Sequence, residues 1–116
     1  MRIAVKILKA AADRNRIRIL KILQHKDGAC VCEIQKILGV GQSTTSRHLR
    51  ILEEADLIYT VREGKWINCF LNDRTKNREV KGMLQMLGKW LEEDRQTGTD
   101  LKSLKTVDRS SLCQSE

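Results

Sequence analysis

The stretch Gly39-Val40-Gly41-Gln42-Ser43-Thr44-Thr45-Ser46-Arg47-His48-Leu49-Arg50-Ile51-Leu52 decides how this chain is read. At helical spacing Thr45, Leu49 and Leu52, flanked by Ile51, face inward, while Gln42, Ser43, Thr44, Ser46, Arg47 and Arg50 face out. Acids enter only at Glu53, Glu54 and Asp56, so the outward face is polar and basic. Upstream, Val31, Ile34, Ile37 and Leu38 make a short helix that Gly39 ends. Two helices joined by a tight glycine-containing link form a helix-turn-helix, whose second member enters the major groove of a duplex with its N-terminal residues. The residue types suit that task. Glutamine pairs with adenine, serine and threonine bond bases or phosphates, and arginine forks onto guanine or grips a phosphate. Gln42, Ser43, Thr44, Ser46 and Arg47 are therefore the candidate reading residues, joined by His48, whose ring either packs or contacts the nucleic acid.

Downstream the period changes from helical to alternating. Residues 57–62 and 66–71 are rich in β-branched and aromatic side chains and flank Glu63-Gly64-Lys65, a hairpin with glycine at the positive-φ site. A hairpin directly after the reading helix is a wing, and Arg62 and Lys65 near its tip reach for the backbone or minor groove. Upstream, residues 3–11 read as a first helix and Asp13 caps a second that runs to about Gln24. Val80, Met83, Leu84, Leu87, Trp90 and Leu91 form one stripe on a last helix over about residues 76–94. Residues 96–116, polar with scattered leucines, read as a mobile tail after a domain of residues 1–95. The fold class is mainly α with a small β component, a winged helix-turn-helix.

Charge agrees with this placement. The 116 residues carry a net +7, of which +6 falls within residues 1–71, with the helix-turn-helix and wing. Excess positive charge is the footprint of a polyanion binder. At 3% aromatic residues, few rings remain for stacking on unpaired bases, which favours duplex DNA over single strands or RNA. No window approaches a membrane span, and Lys6 and Lys9 interrupt the apolar N-terminus, so a cytoplasmic protein without a membrane partner is expected. In that compartment Cys30, Cys32, Cys69 and Cys113 serve metals or redox sensing more readily than disulfides.

Several stretches together resemble the ArsR/SmtB metal-responsive winged-helix repressors. They are Leu8-Lys9-Ala10 through Asp13-Arg14-Asn15-Arg16-Ile17-Arg18-Ile19-Leu20, the box Cys30-Val31-Cys32-Glu33-Ile34, Gln42 to Leu49, and Glu63-Gly64-Lys65-Trp66. The resemblance covers about residues 3–93. It implies a homodimer that holds a palindromic operator and releases it when a metal or metalloid binds. It also places the first and last helices at the two-fold interface, with Ile3, Ile7, Met83, Leu84, Leu87, Trp90 and Leu91 as the dimerisation residues. Three departures stand out: Asn15 replaces the usual threonine before arginine, Gly28-Ala29 stands where the box opens with Glu-Leu, and Gln35 occupies the position of a third cysteine in arsenic-sensing relatives.

Cys30 and Cys32 are the candidate ligands. Within a regular helix residues two apart diverge, so joint chelation requires an extended or distorted helix start. Thiolates select soft ions, with As(III) or Sb(III) favoured as effector and Cd(II), Pb(II) or Zn(II) as alternatives. Since trivalent arsenic takes three thiolates, Cys113 is the expected third ligand, as C-terminal cysteines are in some relatives, whereas Cys69 shares a strand face with Ile67 and Leu71 and reads as core. A catalytic cofactor is not expected. The alternatives are a thiol redox-responsive repressor of the same fold and, more remotely, a small thiol oxidoreductase; the latter lacks an accompanying histidine or carboxylate constellation.

Overall fold

The computed structural model describes residues 1–107. Five helices and a hairpin appear in the expected order: α1 (Arg2–Ala11), α2 (Arg14–His25), α3 (Val31–Leu38), α4 (Gln42–Glu54), the strands β2 (Ile58–Glu63) and β3 (Trp66–Leu71), and α5 (Arg78–Lys89). A two-residue strand β1 (Ala29–Cys30) and a sixth helix α6 (Arg95–Thr106) complete the described chain. The fold is a mainly helical winged helix-turn-helix. Local chemistry explains the boundaries. The Asp13 carboxylate accepts from the backbone N–H groups of Asn15 and Arg16 and starts α2; Asn77 does the same for Glu79 and Val80 at α5. Gly39 ends α3 in the left-handed region at φ 72°, and Gly64 turns the hairpin at φ 62°.

The sheet has the order β1-β3-β2, antiparallel throughout. β1 lies along β3 with Ala29 opposite Cys69 and Cys30 opposite Asn68, while in the hairpin Tyr59 faces Phe70 with stacked rings 5.1 Å apart. Gly28 leads into β1 at φ 85°, where a Cβ would stand 3.0 Å from the Phe70 ring. A side chain there would strain the backbone and crowd the ring.

One core runs through the molecule. Ile19, Leu20, Ile22 and Leu23 of α2 sit at its centre, with Ile34, Leu49, Leu52, Leu57, Ile58 and Val80 closing around them. Lys21 is buried as well, its ammonium donating to the Gln24 side chain and to the Leu87 carbonyl at the end of α5. Burial holds that amine below its ordinary pKa, with Glu92 opposing.

Two expectations are corrected here. The last helix of the stripe ends at Lys89 rather than near residue 94: Trp90 is extended and Leu91 lies in the left-handed region at φ 63°. The stretch read as a mobile tail from residue 96 is instead helical through Thr106. Asp94 caps α6 through the Thr97 N–H, and α6 packs on α2 and α3. The dock is largely polar, because Asp100, nearly sealed from solvent, accepts from Nε and a terminal nitrogen of Arg18 at 3.0 Å each and from Gln96 at 2.9 Å. Leu104 supplies the apolar part. Among the described residues no helix is long and apolar enough to cross a membrane.

Candidate nucleic-acid interface

The face of α4 predicted to read a duplex is open. Gly41 caps the helix in an extended conformation, and Gln42, Ser43, Ser46, Arg47 and Arg50 are exposed, with Thr44 half-buried. Thr45 turns inward and donates its hydroxyl to the Gly41 carbonyl at 2.9 Å, tightening the first turn that presents these side chains. A shallow depression lined by Ser43, Thr44, Ser46, Arg47 and Arg50 runs along this surface. Beside it, a groove of about 300 Å³ lies between the start of α3, the head of α4 and the hairpin, with Cys32, Gln42, Ser46, Arg62 and Lys65 in its walls. Lys65 sits 5.2 Å from the Trp66 ring centroid, a cation–π contact that steadies the ammonium at the wing tip. The helix N-terminus, three cations and the hydroxyls thus converge on one side, the combination that binds a phosphate backbone and base edges together.

His48 departs from the reading list. Its ring is 5% exposed and packs inward, with Nδ1 3.2 Å from a terminal nitrogen of Arg16. Three residues after Thr45 and four before Leu52, it falls beside the buried side of α4, between the exposed Arg47 and Arg50.

The cysteines separate into different surroundings. Cys30 is wholly buried, ends β1 and caps α3 in an extended conformation. Its backbone N–H donates to Glu33 Oε1 at 2.9 Å, and Glu33 in turn is ion-paired with Lys26. Burial would raise the Glu33 pKa, but the hydrogen bonds from Lys26 and from the Cys30 backbone outweigh it and hold the carboxyl below its ordinary value. Cys32 lies in the first turn of α3, half-buried in the groove that Arg62 and Lys65 border. Cys69 is buried opposite Ala29, and burial, with Cys30 and Glu53 adding to it, pushes its thiol up to about 12. That is the core position expected of it. Cys113 lies outside the described residues. Among the described residues no group of three or more His, Cys, Asp or Glu side chains is placed to hold a metal ion.

The apolar residues assigned to an interface divide in two. Ile7, Met83 and Leu87 enter the protomer's own core and Leu84 packs against it. Ile3, Trp90 and Leu91 remain exposed, joined by Val5 and Leu8 on α1 and by Met86 on α5, which the stripe did not single out. α1 and α5 are neighbours, so these side chains lie on adjoining elements.

Comparison with known proteins gives a consistent result. The family model described as "Bacterial regulatory protein, arsR family" matches residues 13–60, from the cap of α2 into β2. The arsenical resistance operon repressor of Bacillus subtilis (strain 168) is 41% identical over 76 residues, 66% of this chain and 69% of that protein. The cadmium resistance transcriptional regulatory protein CadC of Listeria innocua serovar 6a is 31% identical over 78 residues, 67% of this chain and 62% of its own length. Among solved structures, a homodimeric winged helix-turn-helix DNA-binding domain from Mycobacterium bovis superposes with a TM-score of 0.63 over 80% of this chain and 82% of that one, at 22% identity.

Proposed function

This chain belongs to the ArsR family of bacterial regulatory proteins, and on that premise we propose that it is a homodimeric repressor that holds duplex operator DNA through α4 and the wing, and releases it when Cys30 and Cys32 take up a thiophilic ion, As(III) or Sb(III) first. The observation that carries the DNA half is the open face of α4, with Gln42, Ser43, Ser46 and Arg47 at its head and Arg62 and Lys65 beside them. The family is one of transcriptional regulators, not of enzymes. A two-fold dimer presents two such helices about one DNA turn, roughly 34–36 Å, apart. The exposed Ile3, Leu8, Met86, Trp90 and Leu91 are the apolar surface offered for that pairing.

The sensing half rests on the donor set. Two soft cysteine sulfurs stand two residues apart at the head of the helix that packs on α4, and relatives carry arsenical and cadmium resistance in their names. The donors fit a thiophile in kind; in number they need a third, for which Cys113 is proposed. Buried Cys30 must leave its place for both sulfurs to reach one ion, which opens the turn held by the Cys30 N–H to Glu33 bond. The head of α3 then shifts, and the groove shared with Gln42 and Ser46 changes shape. Useful control needs a coupling of about 1–3 kcal/mol, or 5–150-fold in affinity.

Titration of the DNA-bound protein with As(III), Sb(III), Cd(II), Pb(II) and Zn(II) tests this. Release by As(III) or Sb(III), lost in Cys30→Ser and Cys32→Ser and weakened in Cys113→Ser, is the expected result. No release by any ion sinks the sensing half alone. Release by peroxide but not by metalloids moves the trigger to thiol oxidation.

A further inference from the structure

Arg16 occupies a joint between three helices. Its Nε donates to the Ala10 carbonyl at 2.6 Å and one terminal nitrogen reaches the Lys9 carbonyl at 3.5 Å, satisfying the last turn of α1. The other terminal nitrogen meets His48 Nδ1 at 3.2 Å, and Asp13, the cap of α2, lies 3.9 Å from the same nitrogen. α1, α2 and α4 are therefore fastened by one guanidinium. His48 is the α4 end of that fastening, adjacent in sequence to Arg47 and two residues from Ser46.

A guanidinium only donates, so the contact requires His48 Nδ1 to present a lone pair and the ring to be neutral with its proton on Nε2. Protonating Nδ1 would set N–H against N–H beside a second cation. The charged groups acting on the ring are Asp13 and Arg16 from α2 and Arg47 from α4, while α1 contributes the two carbonyls. Burial holds the imidazole below its ordinary pKa, Arg16 and Arg47 act in the same direction, and Asp13 opposes them.

We propose that His48 is a positioning residue for DNA reading: by accepting from Arg16 it locks α4 to the α1–α2 joint and aims Ser46 and Arg47, and its protonation releases that lock and weakens DNA binding. This rests on the DNA-reading function proposed above. It also opposes the simplest view of a histidine on a reading helix. An imidazolium touching phosphate would strengthen binding on acidification, whereas a lock that needs a neutral ring weakens it.

The experiment uses the full chain carrying His25→Asn, so that His48 is the one histidine left, and a duplex selected on this protein from a random pool, at fixed salt from about pH 8 to about pH 5.5. Affinity should fall by about threefold to tenfold per pH unit once the ring begins to charge. His48→Ala should bind weakly at every pH, and His48→Asn, which keeps an acceptor near the Nδ1 position without titrating, should restore binding relative to alanine with a flat profile. Tighter binding on acidification, or a His48→Asn profile as steep as the parent's, overturns the proposal. Nitrogen NMR of the imidazole gives an independent readout without substituting His48: the proton must reside on Nε2 at neutral pH, and a proton on Nδ1 refutes the lock. If no duplex is bound at about pH 8, the DNA-reading function itself fails, and the tautomer still decides the Arg16–His48 contact.

Discussion

Replacing Asp100 with alanine should undock α6. Asp100 and Arg18 are paired with side chains only 5% and 15% exposed, and the carboxylate also accepts from Gln96. Removing one member of a well-buried ion pair costs about 3–5 kcal/mol, because the surviving charge is left without its counterpart. Here Arg18 keeps two acceptors, the Asn15 side chain and the Ile37 carbonyl, and part of it reaches solvent. A loss of about 2–3 kcal/mol is therefore expected. Little else resists it: α6 has twelve residues, a length at which an isolated helix is marginal in water, and its apolar anchor is chiefly Leu104. The variant should show a lower urea midpoint and early amide exchange in residues 98–106 while α2 stays protected. Asp100→Asn, retaining one acceptor, should fall between, and adding Arg18→Met should recover part of the loss by removing the stranded cation. A midpoint shift worth under about 0.5 kcal/mol with unchanged exchange in α6 would refute the ion-pair account of how this helix is held.

Arg47→Ala, on the exposed face of α4, should weaken duplex binding by about 1–3 kcal/mol with unchanged circular dichroism and sedimentation; retained affinity would remove Arg47 from the reading surface. Glu33→Gln should flatten the acid side of the stability profile. The native carboxyl is held low, so the stability it contributes is present above the usual carboxylate range near 4.5 and disappears as pH falls through the depressed native value; urea midpoints at about pH 7 and pH 4 measure the difference. Cys69, with its thiol raised to about 12, should resist iodoacetamide at about pH 8 until denaturant is added. It stays neutral when folded and ionises when unfolded, so it should also destabilise the protein as pH climbs above about 9. Stoichiometric native labelling at Cys69 would contradict its burial.

The parts of this fold that the sequence displays are those written in apolar period and glycine placement. The α3–α4 pair, bounded by Gly39 and Gly41, and the hairpin turned at Gly64 are read directly because each rests on residues within a few positions of one another. What depends on distant partners is hidden. Trp90 and Leu91 keep the phase of the α5 stripe although the backbone has already left the helix, and neither glycine nor proline stands at Trp90 or Leu91 to mark the break. α6 is concealed because a carboxylate, not an apolar stripe, docks it; the local sign was Asp94 three residues before Thr97. β1 is too short to alternate and exists through its pairing with β3. The inward turn of His48 was foreshadowed by its spacing from Thr45 and Leu52, three and four residues away, which puts it beside the buried stripe. The division of the apolar stripe between core and surface depends on how α1 crosses α5, which spacing alone does not encode.

Cys30 ends one element and begins another with no residue between them. As the last position of β1 it is bonded into the strand that forms one arm of the wing, and as the cap of α3 it anchors the first helix of the reading pair. The two parts proposed to face DNA consequently share a single mechanical pivot. A pull on that residue is divided between the hairpin and the helix pair, so the spacing between wing tip and α4, which the proposed duplex contact uses at two points at once, depends on where this one residue sits.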